Sequence, residues 1–217
     1  MALTGWSTSN FIRGSAPVTT TPLTMACWAK VASLPGAATQ LMFLGQAAAA
    51  DTLHQHSLRI TAGNVIGAVT NDGTTGVSAV TSASPTAGAW FHACGIWTSA
   101  SSRAAYLNGA NSGSDSNSRT PSTINRLSFG KQDNAGNNQA LASGALLAEA
   151  CVWNVALDAA EVAALAAGMP PSKIRPASIV TYLPLVRDLI DFTGLSGVAI
   201  NGSLSAADHC RIYGRAA

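Results

Sequence analysis

Charge is what this sequence has least of. Lys, Arg, Asp and Glu make up 10% of its 217 residues, against roughly 25% in an ordinary globular domain. Serine, threonine, asparagine and glycine stand in its place. The resulting surface is weakly hydrated and suits a protein held in an assembly, or a secreted one. The net charge is +2 and the nine arginines form no basic run, which excludes the electrostatic footprint of a nucleic-acid binder. No run approaches the ~18 apolar residues of a membrane helix. The opening MALTGWSTSNFIRGS lacks the basic stretch and apolar core of a classical signal peptide.

Catalytic signatures are equally scarce. There is no Gly-x-Ser-x-Gly, His-Glu-x-x-His or phosphate-binding glycine loop. No two cysteines have the Cys-x-x-Cys spacing of a zinc or redox site. Cys27, Cys94 and Cys151 sit in hydrophobic runs and read as buried thiols; Cys210 stands near the end. A disulfide remains open on spacing alone. Glutamate occurs twice, as Glu149 and Glu161, so each can be weighed individually.

What the chain does have is alternation. LTMACWAKV (23–31) puts Thr24, Ala26, Trp28 and Lys30 on one face and Met25, Cys27, Ala29 and Val31 on the other. Both faces are largely apolar, as in a strand deep in a sandwich or covered by a neighbouring element. QLMFLG follows, then HSLRITAGNVIGAVT with a hairpin signal at Gly63-Asn64. AGAWFHACGIW and SRAAYLNG flank the loop TSASS, and Asn108-Gly109 marks a tight turn. The polar stretch ANSGSDSNSRTPST reads as a long loop before the strands INRLSFG and GALLAEACVWN. Residues 1–22, with SAPVTTTP, read as an extended N-terminal arm and lead-in strand, and 23–217 as one domain with a C-terminal extension. Many short strands and one helix predict an all-β sandwich.

The helix is well specified. Asp158 is the expected N-cap, Glu161 completes a capping box, and Leu157 and Val162 form the matching hydrophobic staple. Gly168, followed by Pro170 and Pro171, ends it. Glu161 is thereby assigned a structural role.

Together PLTMACWAKV, AWFHACGIWTSASSRAAYLNG, NRLSFGKQ, GALLAEACVWNVALDAAEVAALAAG, VTYLPL and the terminal SAADHCR resemble a laminin-G-like domain. The resemblance runs from about Trp6 to Ile212. It implies a concanavalin-A-like jelly-roll β-sandwich with one short α-helix and extended terminal arms. The helix is expected to cap an open end or edge. The nearest likeness is to the versions in bacteriophage and prophage structural proteins. The family also holds lectins, glycan-binding modules and glycosidases, so the fold does not fix the function.

Glycoside hydrolysis needs two carboxyl groups facing one cleft. Glu149 has Leu147 and Cys151 as its same-face neighbours, so it reads as a carboxylate that accepts hydrogen bonds or pairs with an arginine. No catalytic residue is assigned. Relatives often bind calcium at a loop edge, and hard oxygen ligands are offered by Asp133, Asn134, Asn137 and Asn138, with Asn71 and Asp72 as a second loop. Turn formation explains the same residues, so no cofactor is required. His54 and His56 would share a face at a polar edge or subunit contact, His92 reads as a core residue, and His209 as the partner of Asp208. Aromatic rings available to a sugar are Trp6, Tyr106 and Tyr213.

The resemblance and the low charge lead to an expected role as a non-enzymatic virion structural protein. It would be a capsid decoration protein that stabilises the assembled shell, made in the host cytoplasm. Its partner would be the major capsid protein or another virion protein, and its own assembly a trimer, with no nucleic acid or membrane involved. The alternative is a carbohydrate-binding, lectin-like module of a phage tail or surface protein.

Overall fold

The computed structural model describes residues 2–47, 53–135, 139–185, 191–194 and 196–210. Its strands, in chain order, are β1 (Ala2–Thr4), β2 (Phe11–Ser15), β3 (Leu23–Lys30), β4 (Thr39–Gly45), β5 (His54–Ile60), β6 (Ile66–Asp72) and β7 (Gly76–Val80). They continue with β8 (Trp90–Ser99), β9 (Ser102–Leu107), β10 (Ala110–Asp115), β11 (Arg126–Phe129) and β12 (Leu146–Trp153). After the helix α1 (Ala159–Ala166) come β13 (Ile179–Leu183), β14 (Ala199–Asn201) and β15 (Ser205–Ala207).

These strands form two antiparallel sheets. One runs β10-β9-β8-β3-β12-β1-β15, with β13 also on β12; the other runs β14-β2-β11-β4-β5-β6-β7. The period-2 pattern sets their register. Met25, Cys27 and Ala29 of β3 and Phe91, Ala93 and Trp97 of β8 point between the sheets, where they meet Met42, Leu44, Leu58, Ile60, Leu127 and Phe129. Trp97 is fully buried, and its indole N–H donates to Thr70 Oγ1 at 2.9 Å. A buried tryptophan needs such a partner for its one polar atom.

The opposite face of β3 and β8 is apolar as well because α1 lies on it. Ala26, Cys94, Ile96, Cys151 and Trp153 pack against Leu157, Val162 and Leu165. The helix therefore covers a sheet face, where the sequence suggested an open end or edge. Asp158 accepts from the Glu161 N–H at 2.9 Å, and the Glu161 carboxylate accepts from the Asp158 N–H at 2.8 Å. At the other end Gly168 takes φ +96° while its N–H donates to Leu165 O and the Met169 N–H to Ala164 O, both at 3.0 Å. That pair of bonds closes the helix as a Schellman motif.

Two expectations need correction. The described part of the segment read as an arm, residues 2–22, lies in the sheets: β1 pairs with β12 and β15, and β2 lies between β14 and β11. Trp6 and Ile12 are fully buried. The serine, threonine and proline content hid two short strands too brief to show alternation. The stretch after Asn108-Gly109 is likewise no loop at its start. Both turn residues take positive φ, at 54° and 74°, and the hairpin continues as the edge strand β10. β10 is held by tertiary chemistry: the buried Arg103 guanidinium of β9 binds the Asp115 carboxylate and donates to Asn117 O at 2.9 Å.

Candidate functional site

The face of the seven-stranded sheet that points away from the other sheet is polar. Directly paired residues share a face, and the register aligns Ser15, Arg126, Gly45, Gln55 and Asn71 in one row across β2, β11, β4, β5 and β6. The next row aligns Arg13, Ser128, Phe43 and Ser57. Gln55 and Ser57 are buried, yet Gln55 Oε1 and Ser57 Oγ make no hydrogen bond. At the β2–β11 end this face opens into a shallow hollow of about 310 Å³, lined by Arg13, Ser15, Asn125 and Arg126 with the backbone of Gly14 and Gly197.

Charge concentrates at this hollow. Arg126 Nη1 donates to Asp133 Oδ2 at 3.0 Å, and Arg13 Nη1 lies 4.0 Å from the same oxygen. The Arg13 side chain remains 46% exposed and that of Arg126 27%. Lys131 Nζ sits 4.4 Å from the centre of the Phe11 ring, and the Arg13 guanidinium 5.9 Å from it. Three cations and one carboxylate thus gather on one corner of a charge-poor chain.

Several other titratable groups are folded away. Glu149 stands where the neighbour of β12 changes from β1 to β13. Its φ of 51° and the register shift between Ala148 and Cys151 make this a bulge. The carboxylate is 2% exposed, accepts from the Tyr182 hydroxyl and lies 3.2 Å from His209 Nε2. His209 thus faces Glu149, where the sequence pointed to Asp208. Asp191 accepts from the backbone N–H groups of Tyr182, Thr193 and Ser196. His56, in mid-sheet and not at an edge, faces Thr70 Oγ1 at 3.2 Å. Burial and the nearby Arg103 push its pKa down to about 3. His92 is buried edge-on to Trp28, and burial lowers its pKa to about 3. Burial raises the Cys27, Cys94 and Cys151 thiols well above their ordinary value.

The positions singled out for calcium do not converge among the described residues. Asp133 faces the two arginines just described. Asn134 accepts from Gln132 Nε2 at 3.4 Å; Asn137 and Asn138 lie outside the described residues. Asp72 accepts from the Thr74 hydroxyl at 2.7 Å and from its N–H at 3.2 Å, and pairs with Arg119 at 3.8 Å. The Thr74 hydroxyl bond is the main reason its carboxyl is held below the usual range. Of the aromatics, Trp6 is fully buried, with its ring against Gly130 and its indole N–H on Leu3 O at 3.0 Å. It is no sugar platform. Tyr106 packs half-buried against the helix-side cluster, and Tyr213 lies outside the described residues.

The sequence did not point to Arg13 and Arg126. RLSF alternates polar and apolar residues, which was the available signal for Arg126. FIRGS shows no such alternation, and assigning it to an arm removed Arg13 from any sheet face.

The laminin-G-type profile described as the concanavalin A-like lectin/glucanases superfamily matches residues 7–163. The chain belongs to this superfamily. Several solved structures share its sandwich fold. A SAP-like pentraxin from Limulus polyphemus superposes with a TM-score of 0.60 at 17% identity, over 92% of this chain and 94% of the pentraxin. The CBM40 of Ruminococcus gnavus IT-sialidase, bound to alpha2,3 sialyllactose, gives 0.60 at 12% identity, over 76% of this chain and 97% of that one. Tailspike protein 2 of Escherichia coli O157:H7 bacteriophage CAB120 gives 0.56 at 17% identity, over 80% of this chain and 25% of the tailspike. At these identities the likeness is one of fold. No curated protein sequence matches this chain.

Proposed function

We propose that this concanavalin A-like domain is a non-catalytic, lectin-like module that binds saccharide on the outer face of its seven-stranded sheet. The observation that carries the reading is the hollow between Arg13 and Arg126. It has the size of a small-ligand site and is lined mainly by polar side chains and glycine backbone, with Ala199 beside them. The enclosure of Glu149 beneath Tyr182 and His209 supports binding without hydrolysis, because a glycosidase needs its two carboxyl groups open to one cleft. The carbohydrate-binding module and tailspike among its fold neighbours agree with such a role. The test is a glycan array probed with the purified chain, followed by incubation of any bound oligosaccharide with the protein. Retention of a defined subset of glycans without cleavage is expected. Absence of any glycan binding, or release of shortened sugars, overturns the reading.

A second reading, capsid decoration, is favoured by exposed apolar side chains on a charge-poor surface. Phe192 is 66% exposed and Ile200 40%. In this reading such positions contact a major capsid protein or another virion protein, and a trimer of this chain stabilises the shell by binding only its assembled form. Cryo-electron microscopy of the native particle separates the readings. Many symmetry-related copies on the shell support decoration, whereas a few copies on a tail, with the hollow facing outward, support saccharide binding.

A further inference from the structure

We infer that the hollow selects a sugar bearing a carboxylate, and that Arg13 and Arg126 form its anion-binding subsite. This rests on the saccharide-binding reading and specifies the ligand class. The fold already shows what this pair of guanidinium groups binds: one oxygen of Asp133 sits 3.0 Å from Arg126 and 4.0 Å from Arg13. That single carboxylate occupies the margin of a cationic corner and leaves both arginines partly open to solvent. Guanidinium groups present planar, forked donors matched to carboxylates. Lys131, whose Nζ lies 4.4 Å from the centre of the Phe11 ring, adds positive charge to the same corner.

The surroundings suit the remainder of a sugar ring. Ser15 pairs directly opposite Arg126, and Ser15 and Asn125 bring neutral polar groups to the wall. Gly14 cannot be enlarged, because a Cβ there would overlap Ser196 O. That Cβ would point to the core side of β2, where Leu127 pairs with Gly14, so at this position only backbone faces the hollow between the two arginines. Asp133 acts as an internal competitor: a ligand carboxylate must share the arginines with it. Its removal should therefore strengthen binding, whereas a merely structural ion pair predicts no such gain.

The experiment is calorimetric titration of the full chain with sialyllactose and a galacturonate trisaccharide, with lactose as the neutral control. The expected result is binding of at least one acidic sugar, weakening with added salt and at least about tenfold tighter than lactose. Arg13→Gln and Arg126→Gln each lower that affinity about tenfold or more, and Asp133→Asn raises it several-fold. Circular dichroism verifies that each variant is folded. Arg13, half-exposed, gives the variant least coupled to the fold. Equal binding of lactose and acidic sugars overturns this inference and leaves the saccharide-binding reading standing. Failure of both acidic sugars to bind overturns the inference, while the glycan array separately decides the broader reading. Loss of binding in Asp133→Asn, with the fold intact, also overturns it.

Discussion

Acidification should destabilise this protein before its carboxylates titrate, through two histidines. His56 and His92 are buried with pKa values lowered to about 3, chiefly by desolvation and, at His56, also by Arg103. In the unfolded chain both return to about 6.5. Below that value the unfolded state takes up protons that the native state refuses. Stability is therefore fully present above about 6.5 and is lost as pH falls toward about 3. Between pH 7 and about pH 4.5 each histidine shifts the unfolding equilibrium by about two decades, or up to ~2.7 kcal/mol. Two of them together approach ~5 kcal/mol, a large share of the ~5–15 kcal/mol typical of a domain. The assay is urea denaturation at a series of pH values in that window. His92→Phe, which keeps a ring against Trp28, and His56→Gln should each remove about half of the slope. A flat stability profile in the wild type, or an undiminished slope in both variants, refutes the argument.

Three further outcomes follow from local geometry. Gly130 has φ +77° and an added Cβ would overlap the Trp6 ring, so Gly130→Ala should cost about 2–4 kcal/mol by combining left-handed strain with overpacking; chemical denaturation measures it. Asp158→Ala removes the cap of α1 and should cost about 1 kcal/mol, read in the same way. Deletion of residues 1–22 removes a strand from each sheet and should abolish cooperative unfolding; a truncated chain that melts like the full one would refute the two-strand assignment.

The sequence by itself determined the parts whose signal is local. The capping box at Asp158 and Glu161, the stop at Gly168 and the turn at Asn108-Gly109 are each written in a few adjacent residues, because they satisfy backbone groups within one turn. The alternation of β3 and β8 was equally legible, since the side chains buried on either face are mostly apolar. From these, and from the resemblance they carried, the sandwich followed.

Tertiary structure alone decided which face is which. The helix lies on the sheet because Ala26, Cys94 and Cys151 offer it an apolar floor, and no period within one strand says what covers its outer face. β1 and β2 gain their stability from partners far along the chain, so their own composition resembles loop. The arginine corner has the same origin. Arg13 and Arg126 are 113 positions apart in sequence, and only the pairing of β2 with β11 brings their charges to one hollow. Local patterns encode bonds to neighbours in sequence, whereas a binding site is made by chain segments that meet only after the sheet has closed.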